Sequence, residues 1–250
     1  MKVLYVSDLD GTLLNKNQEL DVDTCKQINQ LIDKGINFTI STGRGDSTKN
    51  ILKDVHFKYP IMILNGTLNY DFDNKKYVDK MPIPNDVVIK IMQALKNFDY
   101  KTFEIQTIFD GQVKRIGINN WDKKSDCLAL NILHNTEKSQ ELSQILSKIK
   151  GINFFIHKKV YSNGESFCDI VLENISKASR LKIFKEKYNF DKVIAFGDSE
   201  NDLPLAESAD EFYAVENAAE IVKKKATDVI GSCYENGVVK FILKNEKLYQ

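Results

Sequence analysis

The chain has little of what several common protein chemistries require. Its cysteines, Cys25, Cys127, Cys168 and Cys233, are scattered and form no Cys-x-x-Cys pair. That argues against a disulfide framework or a zinc site and leaves reduced thiols as the expectation. The histidines, His56, His134 and His157, are equally dispersed, and none sits near an obvious nucleophilic serine or cysteine. A histidine-based hydrolase therefore has little support. Lys+Arg and Asp+Glu both number 35, so the formal net charge is zero. No global field recruits nucleic acid or anionic lipid, and no basic stripe with interleaved aromatic residues stands out. The first apolar run, residues 3–6, stops at Ser7 and Asp8, too soon for a signal-peptide core or a membrane span. The expectation is a cytoplasmic protein without nucleic-acid or membrane partners; oligomeric state is not legible.

What is present is a mixed pattern. The length of 250 residues suits one large domain or two modest ones. Residues 3–6 read as a buried strand. Val22, Cys25, Ile28, Leu31 and Ile32 recur at helical spacing, with Gly35 behind them as a C-cap. Residues 38–40 and 61–64 read as further short strands, an order that predicts a parallel sheet covered on both faces. The middle differs. Strand-like runs flank Asp73-Asn74 and Asp110-Gly111, and helices carry Val88, Ile91, Met92, Leu95 and then Leu142, Ile145, Leu146. The last part returns to the first style, with a buried strand at 193–196 and helices around it. The predicted architecture is α/β: a Rossmann-like doubly wound parallel-sheet core, residues 1–80 and 177–250, interrupted by an inserted α+β cap domain, residues 81–176. Asn163-Gly164-Glu165-Ser166 reads as a turn within that insertion.

Four segments at or beside the ends of predicted core strands carry chemistry, and in an open α/β sheet that edge is where ligands bind. Asp8-Leu9-Asp10-Gly11-Thr12 places carboxylates at i and i+2 before a tight exit; taken alone it is also an Asp-Gly turn. Ser41-Thr42-Gly43-Arg44 offers a hydroxyl and an exposed backbone N–H to a phosphoryl oxygen, or simply an N-cap. Lys177 follows Asn174-Ile175-Ser176 at the return into the core and would otherwise be one solvated lysine among many. Gly197-Asp198-Ser199-Glu200-Asn201-Asp202 gathers acids at the end of a buried strand. Two carboxylates ~4 Å apart repel by ~4 kcal/mol at an effective dielectric near 20, so the cluster calls for a cation unless it is only an acidic helix start.

In this order and spacing, the four segments resemble the haloacid dehalogenase superfamily over nearly the whole chain, most closely its Cof-type sugar-phosphatase-like branch. Asn65-Gly66, Ala214-Val215-Glu216-Asn217-Ala218, Asp228 and Asn236-Gly237-Val238 fit that branch too, while Gly45 stands where it usually has proline and Ala178 where glycine is common. The resemblance implies a phosphatase acting on a small phosphorylated metabolite. Asp8 would be the nucleophile that becomes a phosphoaspartate, Asp10 the general acid and base, and Lys177 a charge-balancing group. Thr42, the Gly43 and Leu9 N–H groups, Lys177 and Asn201 would hold the phosphoryl group. Mg2+ would sit on Asp8, the Asp10 carbonyl and Asp198, with Asp202 orienting Lys177 or serving as a weaker ligand. A phosphomutase using the same intermediate, or a phospho-ligand sensor with vestigial hydrolysis, are the alternatives. The insertion carries no substrate fingerprint; sugar phosphates, phosphorylated cofactors and nucleotides all stay open.

Overall fold

The computed structural model describes residues 1–158 and 164–245. The chain divides into two compact units, one of residues 1–78 and 176–250, the other of residues 79–175.

The first unit is built on a five-stranded sheet. Its strands are β1 (Val3–Ser7) and β2 (Asn37–Ile40) from the N-terminal part, and β11 (Lys192–Gly197), β12 (Glu211–Val215) and β13 (Asp228–Ile230) from the C-terminal part. They run parallel in the order β13-β12-β11-β1-β2. The central strands are buried along nearly their whole length, as the short Val/Ile/Leu-rich runs predict for a sheet covered on both faces. Helices α1 (Val22–Asp33), α5 (Lys177–Lys187), α6 (Leu203–Ser208) and α7 (Glu220–Lys223) lie between these strands in the chain, and α8 (Gly237–Asn245) follows the last of them. Helix α1 buries Ile28, Leu31 and Ile32, and Gly35 follows its C-cap residue Lys34 with φ of 100°. A short helix α2 (Ser47–Ile51) leads to an antiparallel three-stranded sheet of β3 (Ile61–Ile63), β4 (Leu68–Asp71) and β5 (Lys76–Val78).

The second unit contains α3 (Asn85–Ala94), β6 (Thr102–Phe109), β7 (Gln112–Gly117), β8 (Ala129–Asn135), α4 (Ser139–Leu146), β9 (Ile152–Lys158) and β10 (Glu165–Leu172). Its sheet is antiparallel, ordered β7-β6-β8-β10-β9. Asp110 and Gly111 turn the β6–β7 hairpin with φ of 50° and 70°, the left-handed pair that a two-residue hairpin needs. Val88 and Ile91 of α3 and Leu142 and Leu146 of α4 pack with Phe103, Ile105, Leu130, Ile132, Cys168 and Ile170 of the sheet to form this unit's core. Of the turn read at 163–166, Asn163 lies outside the described residues; Gly164 has φ of 83° and Glu165 opens β10.

Candidate active site

The sheet register brings three of the four motif segments together. Ser7 pairs with Phe196 of β11 on one side and with Ile40 of β2 on the other. Beyond that row the Asp8 N–H donates to the Phe196 carbonyl at 3.1 Å and the Ser41 N–H to the Ser7 carbonyl at 2.9 Å. The C-terminal ends of β1, β2 and β11 therefore deliver Asp8, Thr42 and Asp198 to one edge, on either side of the strand where the connection order reverses.

Gly11 and Gly197 make this convergence possible. Gly11 has φ of 73°, and a Cβ there would lie 2.3 Å from Asp198 Oδ2. A Cβ on Gly197 would lie 2.5 Å from Asp202 Cβ. Thr12 donates from Oγ1 to Asp198 Oδ1 at 3.1 Å, and Asn217 donates to the Gly11 carbonyl at 2.7 Å. The loop after β1 is thus tied to the loop after β11 by Thr12 and to the loop after β12 by Asn217.

Lys177, the first residue of α5, is buried. Its Nζ donates to Asp8 Oδ1 at 2.6 Å and to Asp202 Oδ1 at 2.7 Å. The other Asp202 oxygen accepts the N–H groups of Asp198 and Ser199 at 3.1 and 3.2 Å, so both of its oxygens are engaged within the fold. Ser176 caps α5 through a reciprocal pair with Ser179, which fixes the turn that Lys177 occupies.

Ligand atoms of Asp8, Asp198 and Asp202 lie within 4.8 Å of one another. Fully ionised, three carboxylates against one buried ammonium would leave an excess of two negative charges in a poorly solvated place. Burial, followed by the charge of Asp202, pushes the Asp198 carboxyl up to about 7. Burial also pushes Asp8 up, with Lys177 pulling it down and Asp202 and Asp198 pushing the same way as burial. Burial would lower Lys177, but Asp202 and Asp8 outweigh it and the ammonium stays charged. An all-oxygen, doubly anionic set of this kind fits a hard divalent cation.

Thr42 is buried, and its Oγ1 accepts the Arg44 N–H at 3.1 Å. Its backbone is clasped by the next loop: the Thr42 N–H donates to Met62 and the Asn65 N–H to the Thr42 carbonyl, while the Leu64 N–H donates to the Arg44 carbonyl. A Cβ on Gly43 would come to 3.0 Å of Asn65 Oδ1. Leu9 is buried in the turn after β1. Asn201 is exposed, with its Oδ1 accepting from the Ser199 hydroxyl at 2.6 Å. Asp10 is partly exposed and is gripped by Arg44, whose Nε donates to Oδ2 at 2.7 Å while Nη2 reaches Oδ1 and the Gln18 side chain.

Two arginine roles were not read from the sequence. In the sequence Arg44 is only the end of a motif, and its pairing with Asp10 spans a separation no local pattern encodes. Arg180, one turn after Lys177 on α5, is fully buried. Its Nε donates to the Gly66 carbonyl at 2.6 Å. Gly66 itself has φ of 94° and no room for a Cβ, which would come within 2.9 Å of the Ser176 carbonyl. One helix therefore holds both the lysine beside Asp8 and the turn that backs Thr42 and Gly43. An arginine within a helix of low apolar content gave no signal of burial.

A carboxylate cluster with a buried lysine stands at the switch point of a parallel α/β sheet. The chain belongs to the haloacid dehalogenase-like hydrolases: residues 5–126 and 99–242 match that family. It is 29% identical to the Mycoplasma genitalium protein MG265, with 96% of each chain covered. It is 27% identical to the 5-amino-6-(5-phospho-D-ribitylamino)uracil phosphatase YcsE of Bacillus subtilis, over 96% of this chain and 94% of that one. Among solved structures, TM0651 of Thermotoga maritima superposes with a TM-score of 0.76 at 25% identity, covering 98% of this chain and 97% of the other. Among the described residues no helix is long and apolar enough to cross a membrane.

Proposed function

We propose that the protein is a Mg2+-dependent phosphatase that hydrolyses a small phosphorylated metabolite through a phosphoaspartate on Asp8. The observation that carries this reading is the buried Asp8 carboxylate, 2.6 Å from Lys177 and gathered with Asp198 at the edge of the sheet. The alternatives of a phosphomutase or a sensor share the binding site; the supporting argument for hydrolysis is the company of phosphatases among the relatives.

A phosphate ester carries its own negative charge, so attack by a carboxylate requires positive charge and alignment more than basicity. Lys177 supplies one fixed charge, and its two carboxylate partners hold it in place. Asp8, Asp198 and the Asp10 backbone carbonyl would hold the metal. The bound ion would neutralise the excess charge and polarise the phosphoryl group. The Thr42 hydroxyl and the N–H groups of Gly43 and Leu9 would orient phosphoryl oxygens, with Asn201 at the exposed rim. Asp8 Oδ bonds to phosphorus as the ester P–O bond breaks, and the Asp10 carboxyl delivers its proton to the leaving oxygen. Asp10, then ionised, takes a proton from water; that water attacks phosphorus and the Asp8–phosphorus bond breaks, releasing phosphate. Arg44 engages both Asp10 oxygens, so Asp10 gives up at least one of these contacts to carry a proton to the leaving oxygen. Asp202 acts through Lys177 as a positioning residue.

The test is hydrolysis of p-nitrophenyl phosphate by the purified chain. Activity that requires Mg2+, is abolished by EDTA and is absent in Asp8→Asn supports the reading. Undiminished turnover in EDTA, or in that variant, refutes it.

A further inference from the structure

A cavity of about 650 Å3 lies on the first unit, between the segment from Lys49 to Lys58 and the β4–β5 hairpin. None of the proposed catalytic residues lines it. Its size falls in the range of small-molecule sites. An aromatic cluster contributes to its lining: buried Phe57 lies 5.2 Å from the half-buried Phe72, and Tyr70 meets Phe72 edge-on at 5.0 Å. Its rim is cationic. Four lysines and His56 face a single acid, Asp73, in a chain whose charges otherwise balance. Two of these lysines are already committed. Lys49 is bound to Tyr77 and Asp46, and Lys58 donates to the Ile32 carbonyl. Lys53 and Lys75 are exposed and make no ion pair among the described residues; one comes from the segment of Lys49 to Lys58, the other from the β4–β5 hairpin. The hairpin carrying Lys75 is preformed, because Asp71 accepts from both the backbone and the side chain of Asn74.

An aromatic lining that shares its cavity with two uncommitted ammonium groups is complementary to a planar ring that carries a phosphate. We propose that this groove binds an aromatic monophosphate of the nucleoside monophosphate class, with the base against Phe72 and the phosphate between Lys53 and Lys75. The site is separate from the catalytic edge, and its occupancy does not depend on the hydrolytic reading.

The test uses the full-length, isotopically labelled Asp8→Asn chain titrated with AMP and followed by amide chemical shifts; wild type in EDTA serves equally if that variant does not fold. Saturable shifts are expected at residues 53–58 and 70–75. Adenosine alone and inorganic phosphate alone should each bind there about tenfold more weakly, since each lacks one half of the recognition. Phe72→Ala and the double variant Lys53→Glu/Lys75→Glu should each weaken AMP binding about tenfold, with p-nitrophenyl phosphate hydrolysis unchanged when these substitutions are placed in the wild-type chain. Shifts confined to the surroundings of Asp8, Thr42 and Lys177, no saturable shift up to about 5 mM AMP, or equal binding by the variants would overturn the proposal.

Discussion

Replacing Asp198 by asparagine should stabilise the metal-free protein while destroying activity. The carboxyl of Asp198 is raised from 3.8 to about 7 by burial and by the neighbouring Asp202 charge. A raised carboxylate pKa means that ionisation works against the fold. Stability is unaffected below the unfolded value near 3.8, is lost as pH rises through the interval, and the loss is complete above about 7. Three pH units correspond to about 4 kcal/mol. Partial solvent access and relaxation reduce this, so about 2–4 kcal/mol is the working figure. Asparagine removes the charge but keeps an oxygen to accept from Thr12, which spares the tie between the two loops. In EDTA at pH 8 the variant should therefore melt about 5–10 °C above wild type. The gap should narrow at pH 5 and close near pH 4. Adding Mg2+ at pH 8 should raise the melting temperature of wild type and leave the variant unmoved. A variant that is less stable than wild type at pH 8 in EDTA, or a gap that ignores pH, would refute the charge accounting.

Three further substitutions probe the same edge. Lys177→Met leaves Asp8 and Asp202 buried without their cation and should cost about 3–5 kcal/mol in denaturant unfolding at pH 8, with a smaller loss at pH 5 because burial already favours the protonated Asp8 carboxyl. Gly11→Ala forces a Cβ to 2.3 Å from Asp198 Oδ2 at a φ of 73°; it should cost about 1–3 kcal/mol and raise the Mg2+ concentration needed for half-maximal activity. Arg180→Met strands the Gly66 carbonyl and should cost about 2–3 kcal/mol. It should also weaken inhibition by inorganic phosphate, whereas a melting-temperature drop with unchanged phosphate inhibition would show that the Gly66 turn does not position Thr42 and Gly43.

The parts of this molecule that were legible in the sequence are those in which burial and chemistry are local. Residues 3–6 and 193–196 are short apolar runs that end abruptly in acids, and they became the central strands β1 and β11 with Asp8 and Asp198 at their ends. The helical spacing of Val22 to Ile32 survives as α1, which buries Ile28, Leu31 and Ile32 while Val22 at its start stays exposed. What escaped was either too short or too distant. Helix α2 buries only Thr48 and so has no apolar period. Strand β13 is an edge strand of three largely exposed residues. The contacts of Arg44 with Asp10 and of Arg180 with Gly66 join positions 34 and 114 residues apart, and only the packed sheet brings them together.

The most direct measurement is of the bond that Asp8 is held to form. Protein mixed with p-nitrophenyl phosphate and Mg2+, quenched in acid within one turnover and digested, should yield a peptide containing residue 8 that is heavier by about 80 Da, the mass of one phosphoryl group. The modification should be lost on brief incubation in hydroxylamine and absent from Asp8→Asn. Quenched samples that release p-nitrophenol in stoichiometric amount while every aspartyl peptide keeps its unmodified mass would contradict the account.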